Sequence, residues 1–262
     1  MPFTENEGVK IYWEEAGQGE PILLIMGLGW VSYMWHRTRA LLARKYRVIT
    51  FDNRGVGRSD VPPGPYPIPT MAADAAAILD AAGTKNAHIY GMSMGGMIGQ
   101  EFTLQYPQRV KSLILGCTMA GGPTALQPAP EVLQVLMRRG MTPQEAIEAI
   151  DPFIYDPGTS RELIEEDRKL RLEWYPTADG YLGQLQGIMA WEAYSRLPQI
   201  STPTLVIHGE SDQLIPAANG KRIAERIPHA KLVMIPQASH IFSVDQPKIT
   251  DEAVLNFLSA QS

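Results

Sequence analysis

The sequence predicts an α/β fold with a mostly parallel sheet and helices on both faces. Short apolar segments alternate with helical segments along most of the 262 residues. Several of the apolar segments are continuous, as in residues 21–26, which is typical of strands covered on both faces. The alternation stops after residue 119 and resumes at residue 203. The pattern therefore predicts one α/β core that carries a helical insertion.

The predicted strands are short apolar runs that end at turn residues. The first run alternates between apolar and polar residues, and the later runs are nearly continuous. The predicted strands cover residues 9–14, 21–26, 46–51, 87–90, 110–115, 203–208 and 231–235.

Several predicted helices have recognisable ends. Thr142 is a suitable N-cap, Pro143 suits the first helical position, and Glu145 completes a capping box. Gly83 suits the C-terminal end of the helix before it. The predicted helices cover residues 34–45, 70–82, 96–106, 130–139, 142–150, 160–173, 180–195, 217–226 and 248–260.

These elements predict a two-part organisation. Residues 1–119 and 198–262 form the α/β core, and residues 120–197 form a helical cap inserted between the predicted strands 110–115 and 203–208. The segment 120–197 contains no clear strand pattern, which is why the simplest organisation places it outside the sheet.

Composition narrows the possible functions. The chain is 45% hydrophobic, carries a net charge of −5 and has no basic block, so nucleic acid is not expected as a partner. No apolar run reaches the roughly 18 residues that span a bilayer, and the first residues lack a signal-peptide pattern. Cys117 is the sole cysteine, which excludes an internal disulfide and favours a buried structural thiol. We expect a soluble, cytoplasmic protein, and the sequence leaves its oligomeric state open.

The most informative motif is Gly-Met-Ser-Met-Gly at residues 91–95. It follows the predicted strand 87–90 and precedes the predicted helix 96–106. A serine at such a turn has its hydroxyl exposed at the carboxyl edge of the sheet, beside a helix N-terminus. The pattern therefore indicates Ser93 as a nucleophile. The alternative is a small-residue turn that allows close packing of helix on strand.

A nucleophilic serine needs a base and an acid that orients the base. His240 follows the last predicted strand, which puts it at the same sheet edge as Ser93. Asp212 follows the strand before it and is the expected acid, with Glu210 as its competitor. Of the remaining histidines, His88 and His208 lie within predicted strands and are expected in the core. His36 begins a predicted helix, and His229 lies in a polar turn.

Acyl transfer also needs donors for the tetrahedral oxyanion. The expected donors are the backbone N–H groups of Met94, directly after Ser93, and of Leu28, in the loop after the strand 21–26. Gly27 and Gly29 would let that loop approach the substrate closely.

The predicted cap and the loop around Leu28 are expected to form the substrate pocket. Their large apolar side chains favour an apolar or aromatic acyl or alcohol group, although many of them could instead pack the cap onto the core. The candidate pocket residues are Gly27, Gly29, Trp30, Met137, Phe153, Tyr155, Trp174, Met189 and Trp191.

Across nearly its full length the sequence resembles the α/β-hydrolase superfamily. This resemblance implies an α/β-hydrolase fold and assigns nucleophile, acid and base to Ser93, Asp212 and His240. The matching segments are residues 26–29, 52–59, 91–96, 203–212 and 239–240.

Within the superfamily, residues 91–100 resemble the 3-oxoadipate enol-lactonase and small carboxylesterase group. One departure is Met26, where many members have a histidine before the glycine. Because the oxyanion donors are backbone groups, this change leaves the expected chemistry intact.

These features together predict a serine hydrolase of carboxylic esters or lactones, with a small-molecule substrate. No cofactor is expected, and no His, Cys and carboxylate residues have metal-ligand spacing. Haloalkane dehalogenation is disfavoured, because it needs an aspartate in place of Ser93. The alternatives are C–C bond hydrolysis of ring-cleavage products, proline iminopeptidase action, cofactor-free perhydrolysis, and a small-molecule receptor of the same fold.

Overall fold

The computed structural model describes residues 2–138 and 140–261. Eight strands within these residues form one sheet: β1 (Phe3–Asn6), β2 (Val9–Ala16), β3 (Glu20–Ile25), β4 (Tyr46–Phe51), β5 (Ala87–Met92), β6 (Val110–Gly116), β7 (Thr204–Gly209) and β8 (Lys231–Ile235). Their order across the sheet is β1-β2-β4-β3-β5-β6-β7-β8. The pairs β1–β2 and β2–β4 are antiparallel, and the other pairs are parallel.

Helices pack on both faces of this sheet. In the same described residues they are α1 (His36–Leu42), α2 (Ile68–Ala81), α3 (Met94–Gln105), α4 (Pro130–Leu136), α5 (Pro143–Ile154), α6 (Arg161–Glu173), α7 (Ala178–Ala190), α8 (Ala218–Arg226), α9 (Phe242–Asp245) and α10 (Pro247–Ser259). None of them is both long and apolar enough to cross a membrane.

Burial on both faces explains the continuous apolar run of β3. Leu23 joins a hydrophobic cluster with Met71 of α2 and Ile98 of α3. Its neighbour Leu24 joins a second cluster with Leu42 of α1. Successive side chains of a strand point to opposite faces, so every residue of such a strand must be apolar. The predicted α/β fold with a mostly parallel sheet is confirmed.

The segment between β6 and β7 contains α4 to α7, and its residues 120–197 are called the helical insertion below. Among its described residues, the β-type pairing consists of one isolated antiparallel bridge between Gly121 and Glu192. The predicted capping box is present at α5: the Glu145 N–H donates to Thr142 Oγ1 at 3.3 Å, and the Thr142 N–H donates to the Glu145 carboxylate at 2.8 Å.

Some boundaries differ from the sequence prediction. The helix predicted over 34–45 is shorter, because a 3-10 turn occupies Ser32–Trp35 before α1 begins. The helix predicted over 180–195 ends at Ala190, because the following backbone bonds across the chain, with the Ala193 N–H donating to Ala120 O at 2.8 Å.

Two further differences concern short elements and one helix end. The edge strand β1 and the four-residue helix α9 were not predicted, because neither is long enough to show a period. The helix predicted over 130–139 ends at Leu136. Its last predicted residue, Arg139, lies outside the described residues, and so do Met1 and Ser262 at the ends of the predicted core.

Candidate active site

Ser93 occupies the turn between β5 and α3. Its φ of 58° and ψ of −123° are unusual for a residue with a side chain, and such conformations cost about 1–3 kcal/mol. A Cβ at Gly91 would overlap the carbonyl oxygen of Gly95, and a Cβ at Gly95 would overlap that of Ile25. The two glycines of the motif are therefore required by the close approach of this turn to α3 and β3.

Neighbouring segments hold the strained turn in place. The Ser93 N–H donates to Gly116 O at 2.9 Å, and the Thr118 hydroxyl donates to Ser93 O at 2.7 Å. The Ser93 side chain itself lines the main cavity and has no hydrogen-bond partner in the part of the chain that the structure describes. The backbone is thus fully engaged while the hydroxyl stays available to a ligand.

Asp212 lies just beyond the end of β7, and His240 lies in the loop after β8. His240 Nδ1 is 2.9 Å from Asp212 Oδ2, and both side chains are buried. The other carboxylate oxygen, Oδ1, accepts the N–H groups of Leu214 and Ile215 at 2.9 Å each. Glu210 is exposed, and among the described residues no hydrogen bond joins it to His240.

The environment of Asp212 keeps it ionised. Burial alone would raise its pKa, but the charge of His240 and the hydrogen bonds from His208 and His240 outweigh burial and lower the pKa of Asp212 to about 2. An ionised carboxylate at Nδ1 holds the proton on that nitrogen, which leaves Nε2 of His240 free to act as a base.

His208 is a second histidine on the same carboxylate, and sequence reasoning assigned it only to the core. It is fully buried, as predicted, but its Nε2 lies 3.1 Å from Asp212 Oδ2 and 2.8 Å from Ile215 O. A carbonyl only accepts, so Nε2 carries the proton and donates. The signal that could have found it is the spacing of four residues between His208 and Asp212, across the end of a strand.

The helical insertion holds the loop that carries His240. The Ile241 N–H donates to Ile154 O at 2.9 Å, and the Ser239 hydroxyl donates to Phe153 O at 3.1 Å. The Ser239 N–H donates to the Asp245 carboxylate at 2.7 Å. The residues on either side of His240 are therefore fixed by α5 and α9.

Cys117 lies behind the site, directly after β6. Its Sγ is 3.9 Å from His240 Nε2, it is fully buried, and its φ is 37°. Burial raises the pKa of the Cys117 thiol well above its ordinary value, so the group stays neutral. Cys117, Asp212 and His240 each place one potential metal-ligand atom within 4.8 Å of the others, but both Asp212 oxygens already accept hydrogen bonds.

The loop after β3 lies against Ser93, since a Cβ at Gly27 would be 3.0 Å from Ser93 Cβ. Met94 is the first residue of α3, so its N–H has no partner within the helix. The Leu28 N–H has no backbone acceptor among the described residues. The side chain of Asn53 donates to Met26 O at 3.0 Å, and the Gly29 N–H donates to Gln184 Oε1 at 2.8 Å. Both ends of the loop are thereby held.

One cavity of about 530 Å³ connects these groups. Ser93, His240 and Leu28 of the core line it, and residues of the helical insertion complete its wall. Among the predicted pocket residues, four contribute to its wall: Gly27, Trp30, Met137 and Met189.

The other predicted pocket residues lie outside the cavity wall, and each has a different partner. Tyr155 is buried, and its hydroxyl donates to Asp167 at 2.9 Å. The Trp191 indole donates to Glu101 at 2.8 Å. The remaining three lie against their own neighbours: Trp174 under the Arg58 guanidinium at 4.5 Å, Phe153 in the second hydrophobic cluster, and Gly29 bonded to Gln184.

Sequence reasoning missed most of the wall. Arg138 and Arg171 are the charged side chains in it, and no aspartate or glutamate of the described chain lines it. The rest is mainly aliphatic and methionine side chains. In the described residues six methionines line the cavity: Met26, Met92, Met97, Met119, Met137 and Met189.

Comparisons with known proteins define the class to which this fold and site belong. The model of the alpha/beta hydrolase fold family matches residues 20–152 and 165–247. The chain therefore belongs to the α/β hydrolase fold family, and it is a hydrolase.

Three hydrolases named below are similar to this chain over nearly its full length. The chain is 33% identical over 261 residues to a protein of Azorhizobium caulinodans named "Putative carbamate hydrolase RutD", covering 98% of each. It is 32% identical over 253 residues to 3-oxoadipate enol-lactonase 2 of Acinetobacter baylyi, covering 95% of this chain and 92% of that one. A solved structure of a thermophilic esterase from Thermogutta terrifontis has a TM-score of 0.85 at 30% identity, over 99% of this chain and 97% of that one.

Proposed function

We propose that the protein hydrolyses carboxylic esters or lactones through a Ser93–His240–Asp212 triad and an acyl-enzyme. The observation that carries the proposal is the shared cavity. The unbonded Ser93 hydroxyl and His240 line the same space, and His240 is oriented by a buried carboxylate. The similarity to an enol-lactonase and an esterase supports this reaction class.

In the proposed reaction, His240 Nε2 takes the proton of Ser93 while Oγ attacks the carbonyl carbon. The carbonyl oxygen becomes an oxyanion that the Leu28 and Met94 N–H groups stabilise. His240 then gives its proton to the leaving alkoxide. A water activated by His240 attacks the acyl-enzyme, and the acid leaves as Ser93 recovers its proton. Asp212 stays ionised and stabilises the imidazolium throughout.

We also propose that the helical insertion acts as a cap that selects substrate. It lines the cavity that Ser93 also lines, and it holds the His240 loop through Phe153 and Ile154. An ester that extends from Ser93 must therefore contact the insertion.

The central test replaces Ser93 by alanine and measures steady-state hydrolysis of 4-nitrophenyl butyrate. We expect kcat to fall by about 10⁴–10⁶-fold, because nucleophile removal has that effect in related chemistry. Ser211→Ala is the matched control, since Ser211 is an exposed serine near Asp212 and should keep full activity. A Ser93→Ala protein with more than a tenth of wild-type turnover would contradict the proposal.

Two further measurements separate the enzyme from its alternatives. Mass spectrometry after treatment with a fluorophosphonate should find the phosphonyl group on Ser93 alone. Many turnovers per protein molecule exclude the receptor, which would release one equivalent of 4-nitrophenol and stop.

The similarity to the protein named RutD favours carbamate hydrolysis as a second candidate. The same attack on a carbonyl carbon would serve it. Wild-type kcat/KM should be compared on 4-nitrophenyl butyrate and 4-nitrophenyl N-ethylcarbamate, which have similar shape and the same leaving group. A higher value for the ester supports ester hydrolysis, and a higher value for the carbamate replaces it with the second candidate.

A further inference from the structure

The helix α7 buries a long polar side chain on the face that it packs against the core. A Cβ at Gly180 would overlap the carbonyl oxygen of Gly55, so this face of the helix lies directly against core backbone. Gln184 follows one turn later on the same face, and its side chain is fully buried. A buried amide is costly unless both of its ends are hydrogen-bonded.

Both ends of the Gln184 amide bond to backbone groups of the core. Its Oε1 accepts the Gly29 N–H at 2.8 Å, and its Nε2 donates to Arg54 O at 2.9 Å. Because an N–H only donates and a carbonyl only accepts, these partners fix the orientation of the amide. Gln184 thus joins the loop after β3 to the loop after β4, and it lies outside the cavity wall.

The peptide group that carries the Leu28 N–H lies between two anchored peptide groups. The peptide group before it is held at its carbonyl, because the Asn53 side chain donates to Met26 O at 3.0 Å. The peptide group after it is held at its N–H, where Gly29 donates to Gln184. One anchor of the expected oxyanion donor therefore comes from the core and the other from the helical insertion.

The local geometry of Gly29 makes the second anchor important. Gly29 has a φ of 72° and lies in a turn in which the Trp30 N–H donates to Gly27 O at 3.4 Å. A Cβ at Gly29 would lie 2.9 Å from the ring of Tyr181, which is also on α7. Removing the Gln184 acceptor would leave a buried N–H unpaired and would free the central peptide of this turn to rotate.

We propose that Gln184 is a positioning residue for the Leu28 oxyanion donor, so that α7 serves the chemical step as well as the substrate pocket. This inference rests on the hydrolysis and the oxyanion donors proposed above. Gln184 touches no reacting atom and acts through Gly29. Because it lies behind the cavity wall, its loss should weaken transition-state stabilisation more than substrate binding.

The test replaces Gln184 by methionine, which removes both hydrogen bonds and nearly preserves the volume of the side chain. We expect kcat on 4-nitrophenyl butyrate to fall about 10–100-fold while KM stays within about threefold, because a misplaced donor binds the oxyanion poorly. Gln186→Met is the matched control, since Gln186 is exposed on the same helix. It should keep the wild-type kcat and KM.

A pair of ketone inhibitors separates positioning from general packing. Pentyl trifluoromethyl ketone forms a tetrahedral adduct with a nucleophilic serine, and the adduct carries an oxyanion. Pentyl methyl ketone has the same chain but binds mainly as the intact ketone. In Gln184→Met the inhibition constant of the trifluoromethyl ketone should rise by about the factor by which kcat falls, and that of the methyl ketone should change little. A merely structural role would change both constants alike or neither.

Gln184→Asn is a milder second variant. It keeps a polar amide, but its side chain is one methylene too short to bridge Gly29 and Arg54. We expect a fall in kcat in the same direction with an unchanged KM. Thermal unfolding followed by circular dichroism shows whether each variant is folded at the assay temperature. If Gln184→Met does not fold, Gln184→Asn decides the test.

The outcomes distinguish this inference from the proposed reaction. If the wild type does not turn over 4-nitrophenyl butyrate, the proposed hydrolysis fails. If the wild type is active and the folded Gln184 variants keep its kcat, hydrolysis stands and the positioning role is overturned. Equal increases in the inhibition constants of the two ketones would also overturn it.

Discussion

The two sides of the cavity are built in different ways. On the core side, Ser93, Asp212 and the loop of Leu28 are held by backbone hydrogen bonds and by glycines that admit no side chain. On the insertion side the wall consists of side chains with many rotamers, such as Met189, which is 75% exposed. Backbone hydrogen bonds fix the catalytic atoms to fractions of an ångström, whereas flexible side chains such as Met137 and Met189 adapt to a ligand. We therefore expect the core side to set kcat and the insertion side to set KM.

The strongest test of the core side is Asp212→Asn. We expect kcat to fall roughly 10⁴-fold with little change in KM, because an asparagine favours the wrong tautomer of His240. Steady-state kinetics on 4-nitrophenyl butyrate would measure this. Glu210→Gln is the matched control and should change kcat less than about twofold; a larger loss there would move the acid to Glu210.

A smaller effect is expected for His208→Gln. Losing a correctly placed donor to Asp212 should lower kcat about 10–100-fold by weakening the orientation of the carboxylate. The readout specific to positioning is the pH profile: the acid limb of kcat/KM should shift, while a purely structural role would lower the whole curve evenly. His88→Gln, at the other buried strand histidine, should leave the limb in place.

The stability of the core side should depend on acid through Asp212. Its pKa falls from 3.8 to about 2 on folding, so its contribution is complete above pH about 4 and is lost as pH falls toward 2. By linkage the loss is about 1 kcal/mol by pH 3 and about 2 kcal/mol by pH 2. Urea unfolding at pH 6, 4 and 3 should show that the free energy of unfolding falls more for the wild type than for Asp212→Asn. If the free energy falls equally in the two proteins, the pKa of Asp212 is the same in the folded and unfolded states.

The smallest expected effect is on the insertion side. Met137→Ala should raise KM for long acyl esters about 3–10-fold and change hydrolysis of 4-nitrophenyl acetate less, because the acetyl group is too short to reach the wall. Trp174→Ala is the comparison variant, since Trp174 stacks with Arg58 outside the cavity. Equal losses on acetate and on a long ester for Met137→Ala would contradict the division between the two sides.

The core side was largely predictable from the sequence. Ser93, Asp212 and His240 each follow the end of a predicted strand, and parallel strands bring those ends to one edge. In the structure Ser93 and His240 line one cavity, and His240 Nδ1 lies 2.9 Å from Asp212 Oδ2. Leu28 and Met94 stay predicted oxyanion donors: Leu28 lines the cavity, and Met94 is the first residue of α3.

The insertion side was not predictable in the same way. Hydrophobicity predicts that Trp174 and Trp191 are buried or half-buried, but it does not predict which way their side chains point. Outside the cavity, Trp174 stacks with Arg58 and Trp191 donates a hydrogen bond to Glu101. Arg171 lies in a helix rich in charges, where a solvent-facing stripe is the ordinary interpretation. Only the packing of α6 against the loop of Trp30 turns this one arginine inward.

The position of Cys117 allows its thiol to report local opening of the structure at the active site. As the sole thiol, buried 3.9 Å from His240 and neutral, it can react with an alkylating reagent only when the sheet edge opens. The rate of labelling by iodoacetamide therefore measures the free energy of opening at the catalytic edge, at a single atom and without an engineered probe. A ligand that closes the cavity should slow this labelling in proportion to its occupancy.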